Sequence, residues 1–307
     1  MASCEDCREP ACHGFPEATA AVAPIPTGRP SLFIALLLTL ITFWVMVLAA
    51  GIRFPAGREI GATFRDALRT RAGRIGLAWV VGTLLFNVVE TGLDSAIGPA
   101  LGLDFTHVIH RFEGDLVAGL QDTLLGHALA PVWAWVYVFL YPSLLLLPLV
   151  IYHASGKHEH TKGYIGAFVF NYLFALPFYL FVPVTETGWS GTVERVKPLL
   201  DGVWPVFTEV VRSSSALDNC FPSLHTSLSF TVAFYALLHG PKRLQRVGWV
   251  GAVLVMLSTW ALGIHWISDA AAGIMLGYLA ARMGPILAGR VVSLEPAPVA
   301  STWSRRK

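Results

Sequence analysis

The stretch Ala128-Leu-Ala-Pro-Val-Trp-Ala-Trp-Val-Tyr-Val-Phe-Leu-Tyr-Pro-Ser-Leu-Leu-Leu-Leu-Pro-Leu-Val-Ile-Tyr152 carries no charged side chain. A helix needs about 20 mostly apolar residues to cross the hydrocarbon core of a bilayer. The run is therefore read as a membrane span. Pro131, Pro142 and Pro148 lie inside it, which a span tolerates because neighbouring helices and waters take up the freed carbonyls. Working outward, the same test selects six more spans, at 31–51, 75–93, 163–184, 222–239, 247–263 and 267–288.

Composition agrees with an all-α bundle in lipid. The 307 residues are 54% hydrophobic and 14% charged, with a mean hydropathy of +0.59. A soluble domain carries about a quarter of its residues as charges. The net charge of +2 leaves no basic field for nucleic acid. Three regions are expected: a disordered N-terminal tail over 1–30, a transmembrane catalytic bundle over 31–290, and a basic C-terminal tail over 291–307. Cys4, Cys7 and Cys12 lie in the first tail, with His13 beside them. Their CxxC spacing is a weak metal or redox signal. The tail lacks a basic segment followed directly by a short apolar core, so it is not read as a cleaved signal peptide.

Charge alternates between the loops. Arg53, Arg58, Arg65, Arg69, Arg71 and Arg74 follow the first span, and Lys157 and Lys162 follow the third. Lys242, Arg243 and Arg246 follow the fifth, and Arg290 follows the last. The positive-inside rule assigns these loops to the cytoplasm. The mixed or acidic loops at 94–127, 185–221 and around His265 then face the extracytoplasmic or luminal side.

Two stretches at span ends on that side carry chemistry: Cys220-Phe-Pro-Ser-Leu-His-Thr226 and Ser258-Thr-Trp-Ala-Leu-Gly-Ile-His-Trp-Ile-Ser-Asp269. Ionisable groups at such positions are expensive in lipid and usually line a cavity. His265 and Asp269 are four residues apart and share one face of a helix. A carboxylate there can accept the Nδ1 proton, fix the tautomer and leave Nε2 as a nucleophile. Pro222 suits the first turn of a helix, whose free N–H groups attract an anion. Ser223 adds a hydroxyl, and His225 can protonate a leaving oxygen beside it. Two histidines and an aspartate could instead bind zinc, although the Pro-Ser segment suits an oxyanion better.

These residues resemble the type 2 phosphatidic acid phosphatase superfamily, whose fold is shared with vanadium haloperoxidases. Pro222, Ser223 and His225 match the family's Pro-Ser-Gly-His motif, with Leu224 in place of Gly. Ser258, His265 and Asp269 match Ser-Arg-x5-His-x3-Asp, with Thr259 in place of Arg. The resemblance covers 128–288. It implies a six-helix core, here with one extra N-terminal span. It also implies His265 as nucleophile, His225 as acid and base, and Ser223 and Ser258 as phosphate ligands. The substrate would be a membrane lipid phosphate or phospholipid, and no cofactor is implied.

The family's first motif, Lys-x6-Arg-Pro, is not recognisable. Pro183 remains, but Val182 replaces the Arg and Ala175 falls where the Lys would be. In this respect the chain resembles the branch that includes inositol phosphorylceramide synthase, so the acceptor is either water or an alcohol such as inositol. Arg111, Arg195, Lys197 and Arg212 are the candidates to neutralise the phosphate, Arg111 and Arg212 foremost. An interfacial amphipathic helix over 104–125 would let Arg111 roof the site. Trp189 and Trp266 read as interface anchors. A non-catalytic lipid-binding scaffold of the same fold and a transporter remain as alternatives. A transporter would show inverted repeats and broken helices at the midplane.

Overall fold

The computed structural model describes residues 31–49, isolated helical positions between 65 and 89, and residues 101–203 and 216–293. Most of the second expected span, the N-terminal tail, residues 294–307 and Arg212 lie outside the described residues, while 291–293 of the expected C-terminal tail continue the last helix. The elements are α1 (Ser31–Ala49), α2 (Thr106–Glu113), α3 (Leu116–Thr123), α4 (Gly126–Trp135), a π-helical segment (Val136–Leu140), α5 (Tyr141–Ala154), α6 (His158–Phe181), α7 (Leu199–Val203), α8 (Leu224–His239), α9 (Lys242–Ala261) and α10 (Ile267–Ser293). Among the described residues the only β pairing is an isolated parallel bridge between Val184 and Asn219.

Four of these stretches are long and apolar enough to cross a membrane: Gly126–His153, His158–Phe181, Lys242–Ala261 and Ile267–Gly289. The chain is thus an all-α integral membrane protein. Exposed apolar side chains on these helices, such as Leu146 and Met275, suit lipid as a solvent.

The expected span at 222–239 is the 16-residue helix α8. At 1.5 Å per residue it is about 24 Å long, shorter than a hydrocarbon core. It sits centrally, packed against α5, α6, α9 and α10. Protein, not lipid, surrounds it, so its hydroxyls find partners inside. Ser227 donates to Asn171 Oδ1. Asn171 Nδ2 donates to Thr231 Oγ1 at 3.0 Å, and Thr231 donates to Ser227 O at 2.8 Å.

Close approach of α10 to α8 and α6 follows from small residues. A Cβ on Gly273 would meet Ser223 O at 2.7 Å, and one on Gly277 would meet Ser227 O at 2.6 Å. The GxxxG spacing is therefore a packing seam. On the other flank Gly284 lies against the backbone of Gly163 and Ala167, and Gly166 lies against the backbone of Gly284.

The two ends of the bundle differ. At one end the α5–α6 and α8–α9 turns meet, with the His160 and His239 rings stacked 5.0 Å apart and Tyr235 donating to His160 O at 2.9 Å. Lys157, Lys242 and Arg243 gather at this end. At the other end the loops tie to one another through backbone bonds. Val184 N donates to Asp218 O at 2.8 Å, Gly188 N to Gly263 O at 2.8 Å, and Leu199 N to Leu262 O at 3.1 Å. Buried Gln121 joins them. Its Nε2 donates to Lys197 O at 3.0 Å and Ala261 O at 3.1 Å, and its Oε1 accepts from Lys197 N at 3.0 Å.

Two expectations at this end need correction. The segment 104–125 is not one interfacial helix. It breaks at Gly114, whose φ of 53° lies in the left-handed region that glycine enters at little cost. Trp266 is not an interface anchor. It is fully buried, and its indole N–H donates to Thr185 O at 2.9 Å. Trp189, by contrast, is about half exposed.

Candidate active site

The start of α8 is built by Ser223. Its extended backbone and side-chain oxygen make it the N-cap, accepting from Thr226 N at 3.2 Å. Pro222 precedes this cap and does not occupy the first turn. Ser223 Oγ also donates to Thr226 Oγ1 at 3.1 Å, and Ser223 N donates to Asp269 O at 3.1 Å. That last bond joins the two motif stretches directly. Tyr179, one turn beyond Ala175 on α6, donates to Pro222 O at 3.0 Å. A hydroxyl thus ties the region of the missing first motif to the second.

The start of α10 is built by Asp269. It stands in the third helical position and reaches back to accept from Trp266 N at 2.9 Å. This is one half of a capping box. Glu113, the last residue of α2, caps the same turn from outside. It accepts from Ile267 N at 2.8 Å and Ser268 N at 2.6 Å, and from the Ser268 hydroxyl. Asp269 is thereby held in place by the turn it caps.

His265 lies in the short loop between α9 and α10. Its Nδ1 is 3.4 Å from Asp269 Oδ2, a long contact for a hydrogen bond. His265 is 3% exposed and Asp269 0%. His265 Nε2 and Asp269 Oδ1 are buried with no hydrogen-bond partner. An orphaned buried nitrogen costs free energy and signals a group held ready for something else. Burial lowers the His265 pKa to about 3, so the imidazole is neutral and keeps a lone pair.

His225, in the first turn of α8, faces His265 with ring centroids 5.7 Å apart. The Tyr137 and Tyr141 rings pack on it at 4.5 and 4.9 Å. Tyr137 lies within the π-helical turn and Tyr141 directly follows it. Such turns add a residue to a helix and re-aim its side chains, here toward His225. Sequence reasoning missed them, because a tyrosine in an apolar span reads as core.

The remaining expected ligands stand apart. Ser258 is buried, and its hydroxyl donates to Val255 O at 2.6 Å. Thr259, where the family has Arg, donates to Met256 O at 2.7 Å. Arg111 is exposed on α2, two residues from Glu113. Arg195 is exposed and paired with Asp122 at 2.8 Å, and Lys197 Nζ donates to Glu194 O at 2.9 Å. Ala175 is fully buried beside Tyr179 and Leu276. A groove of about 560 Å³ beside Ile267 is lined by Glu113 and Asp115, the wrong sign for a phosphate. His225 itself stands in the first turn of α8, where free amides and the helix dipole favour an anion.

Fold and site together define an all-α membrane protein with a carboxylate-backed histidine facing a second histidine. Comparison with known proteins points the same way. Residues 164–290 match the family model of the PAP2 superfamily. The chain is 38% identical over 58 residues to an uncharacterized protein of Methanocaldococcus jannaschii, covering 19% of this chain and 23% of that protein. It is 41% identical over 68 residues to the bacitracin transport permease protein BcrC of Bacillus licheniformis, covering 21% of this chain and 32% of that one. The chain thus spans about a quarter to a third of the length of these relatives. No solved structure gives a significant match.

Proposed function

We propose that this protein transfers phosphoryl groups on a membrane lipid phosphate through a phosphohistidine at the non-cytoplasmic face. The observation that carries the reading is the buried, partnerless Nε2 of His265, backed by Asp269 and faced by His225. Nε2 attacks phosphorus, and the bond from phosphorus to the leaving oxygen breaks. His225 gives that oxygen a proton. An acceptor O–H then attacks the phosphohistidine, returns its proton to His225 and releases His265. Asp269 holds the Nδ1 proton and stabilises the imidazolium character of the transition state. The amides that open α8 meet the developing charge.

Water as acceptor makes the protein a lipid phosphatase, and an alcohol such as inositol makes it a head-group transferase. Leu224, Thr259 and the absent first motif favour the transferase. Lys157, Lys242 and Arg243 at the opposite end support an extracytoplasmic or luminal site. The transport role named for the Bacillus relative draws no support from this arrangement, since the buried ionisable groups lie at one end of the helices.

The test is turnover in detergent with lipid phosphates, lipid pyrophosphates and phosphoinositides, with and without inositol, beside His265→Ala. Phosphate release, or an inositol-dependent lipid product, is expected from the wild type together with an acid-labile phosphoenzyme. Both should fall by about a thousandfold or more in the variant. Turnover that survives His265→Ala, or no turnover on any donor, would leave the scaffold as the better account.

A further inference from the structure

A third buried donor adjoins the His265–Asp269 pair, and the phosphoryl-transfer reading gives it no task. Cys220 is 2% exposed. Its backbone N–H donates to Val184 O at 3.2 Å, beside the Val184–Asn219 bridge, so the loop is pinned. Its Sγ reaches Ile264 O at 3.5 Å, one residue before His265. A sulfur, a ring nitrogen and a carboxylate oxygen from Cys220, His265 and Asp269 all lie within 4.8 Å of one another. Two of these residues also carry a buried side-chain atom without a hydrogen-bond partner, His265 Nε2 and Asp269 Oδ1. A buried cluster of a thiol, an imidazole and a carboxylate, two of them with an unsatisfied atom, suits a cation better than water.

The donor set specifies the class of cation. Thiolate and imidazole select zinc and its borderline-soft relatives, whereas magnesium and calcium require oxygen ligands. We propose that Cys220, His265 and Asp269 form a zinc-class site whose occupation switches phosphoryl transfer off. Binding is a substitution without redox change: the cation enters, the Cys220 thiol loses one proton, and a metal–sulfur bond forms. Inhibition follows whichever ring nitrogen coordinates. If Nε2 binds the metal, its lone pair is consumed. If Nδ1 binds, the neutral ring carries its proton on Nε2 and again has no lone pair there. The metal-binding half stands on geometry alone, while the inhibitory half rests on His265 as nucleophile.

The experiment separates the two halves. Cys4, Cys7 and Cys12 are replaced by serine in the full chain, leaving Cys220 as the one thiol. Cobalt(II) is then titrated into the detergent-solubilised protein. A near-ultraviolet sulfur-to-cobalt charge-transfer band is expected, displaced by zinc and unaffected by magnesium. Cys220→Ala should abolish the band while retaining the melting profile and turnover without metal. In the same preparations zinc should inhibit turnover, with the inhibitory concentration raised about tenfold or more by Cys220→Ala. Absence of the band, or its persistence in Cys220→Ala, overturns the site. A band without zinc inhibition of an active preparation overturns the switch. If the preparation has no turnover, the band still decides whether the site exists, and the failure belongs to the functional reading.

Discussion

His265 is a base in the wrong solvent, and that leaves a mark on stability as well as on chemistry. Its unfolded pKa is near 6.5, whereas burial lowers the native value to about 3. Between those values the unfolded chain binds a proton that the native state refuses. Stability from the neutral ring is therefore complete above 6.5 and is lost as pH falls toward 3, by up to about 1.4 kcal/mol per pH unit. In metal-free buffer the melting temperature of the wild type should drop more steeply between pH 6.5 and 4 than that of His265→Gln. Equal slopes would show that the ring is protonated in the native state. The four-residue spacing pointed to the approach of His265 and Asp269 that the structure shows, although His265 stands in the loop before α10 and not on the helix. Glu113 and Cys220 were not legible in this way. Glu113 reaches α10 across 154 residues of chain, and no local pattern encodes such a contact.

At the scale of elements, helix ends and helix crossings set the geometry. Glu113 caps the first turn of α10 from a separate helix. Its removal in Glu113→Ala strips acceptors from two backbone donors at a helix N-terminus. The expected loss is about 1–2 kcal/mol in a denaturant or thermal melt, and a melt unchanged from wild type would refute the capping role. The crossings are equally specific. A Cβ at Gly284 would strike the backbone of Gly163 and Ala167, whereas one at Gly119 on α3 meets nothing within 4 Å. Gly284→Ala should cost about 1–3 kcal/mol by overpacking, while Gly119→Ala should be neutral or slightly stabilising. Comparable melting temperatures for the two variants would rule out the seam. The long spans could be read from hydropathy, since each exceeds the length that a bilayer demands. The π-helical turn could not, because an extra residue in an apolar run changes neither composition nor length enough to register.

For the whole molecule, the separation of the end that carries Lys157, Lys242 and Arg243 from the end that carries His225 and His265 makes orientation measurable. Single cysteines at Ser155 and Ser190, in a background without Cys4, Cys7, Cys12 and Cys220, should react with an impermeant thiol reagent from opposite sides of a sealed membrane. Ser190 should be the residue labelled from the non-cytoplasmic side. Labelling of both from one side would contradict the arrangement of the bundle, and labelling of Ser155 alone from outside would invert the proposed topology. The central position of α8 also explains its composition. A helix wrapped in protein can afford serines and threonines, so its sequence carries the signature of neighbours instead of lipid.

The crossing of α6 and α10 has a genetic corollary. Mutations in a packed core are commonly rescued by trimming the side chain they collide with. At Gly284 there is nothing to trim, because the obstructing atoms belong to the main chain of Gly163 and Ala167. A screen for suppressors of Gly284→Ala should therefore return true revertants to glycine and few second-site changes on α6. This stretch of the protein can be repaired only by the route through which it was damaged.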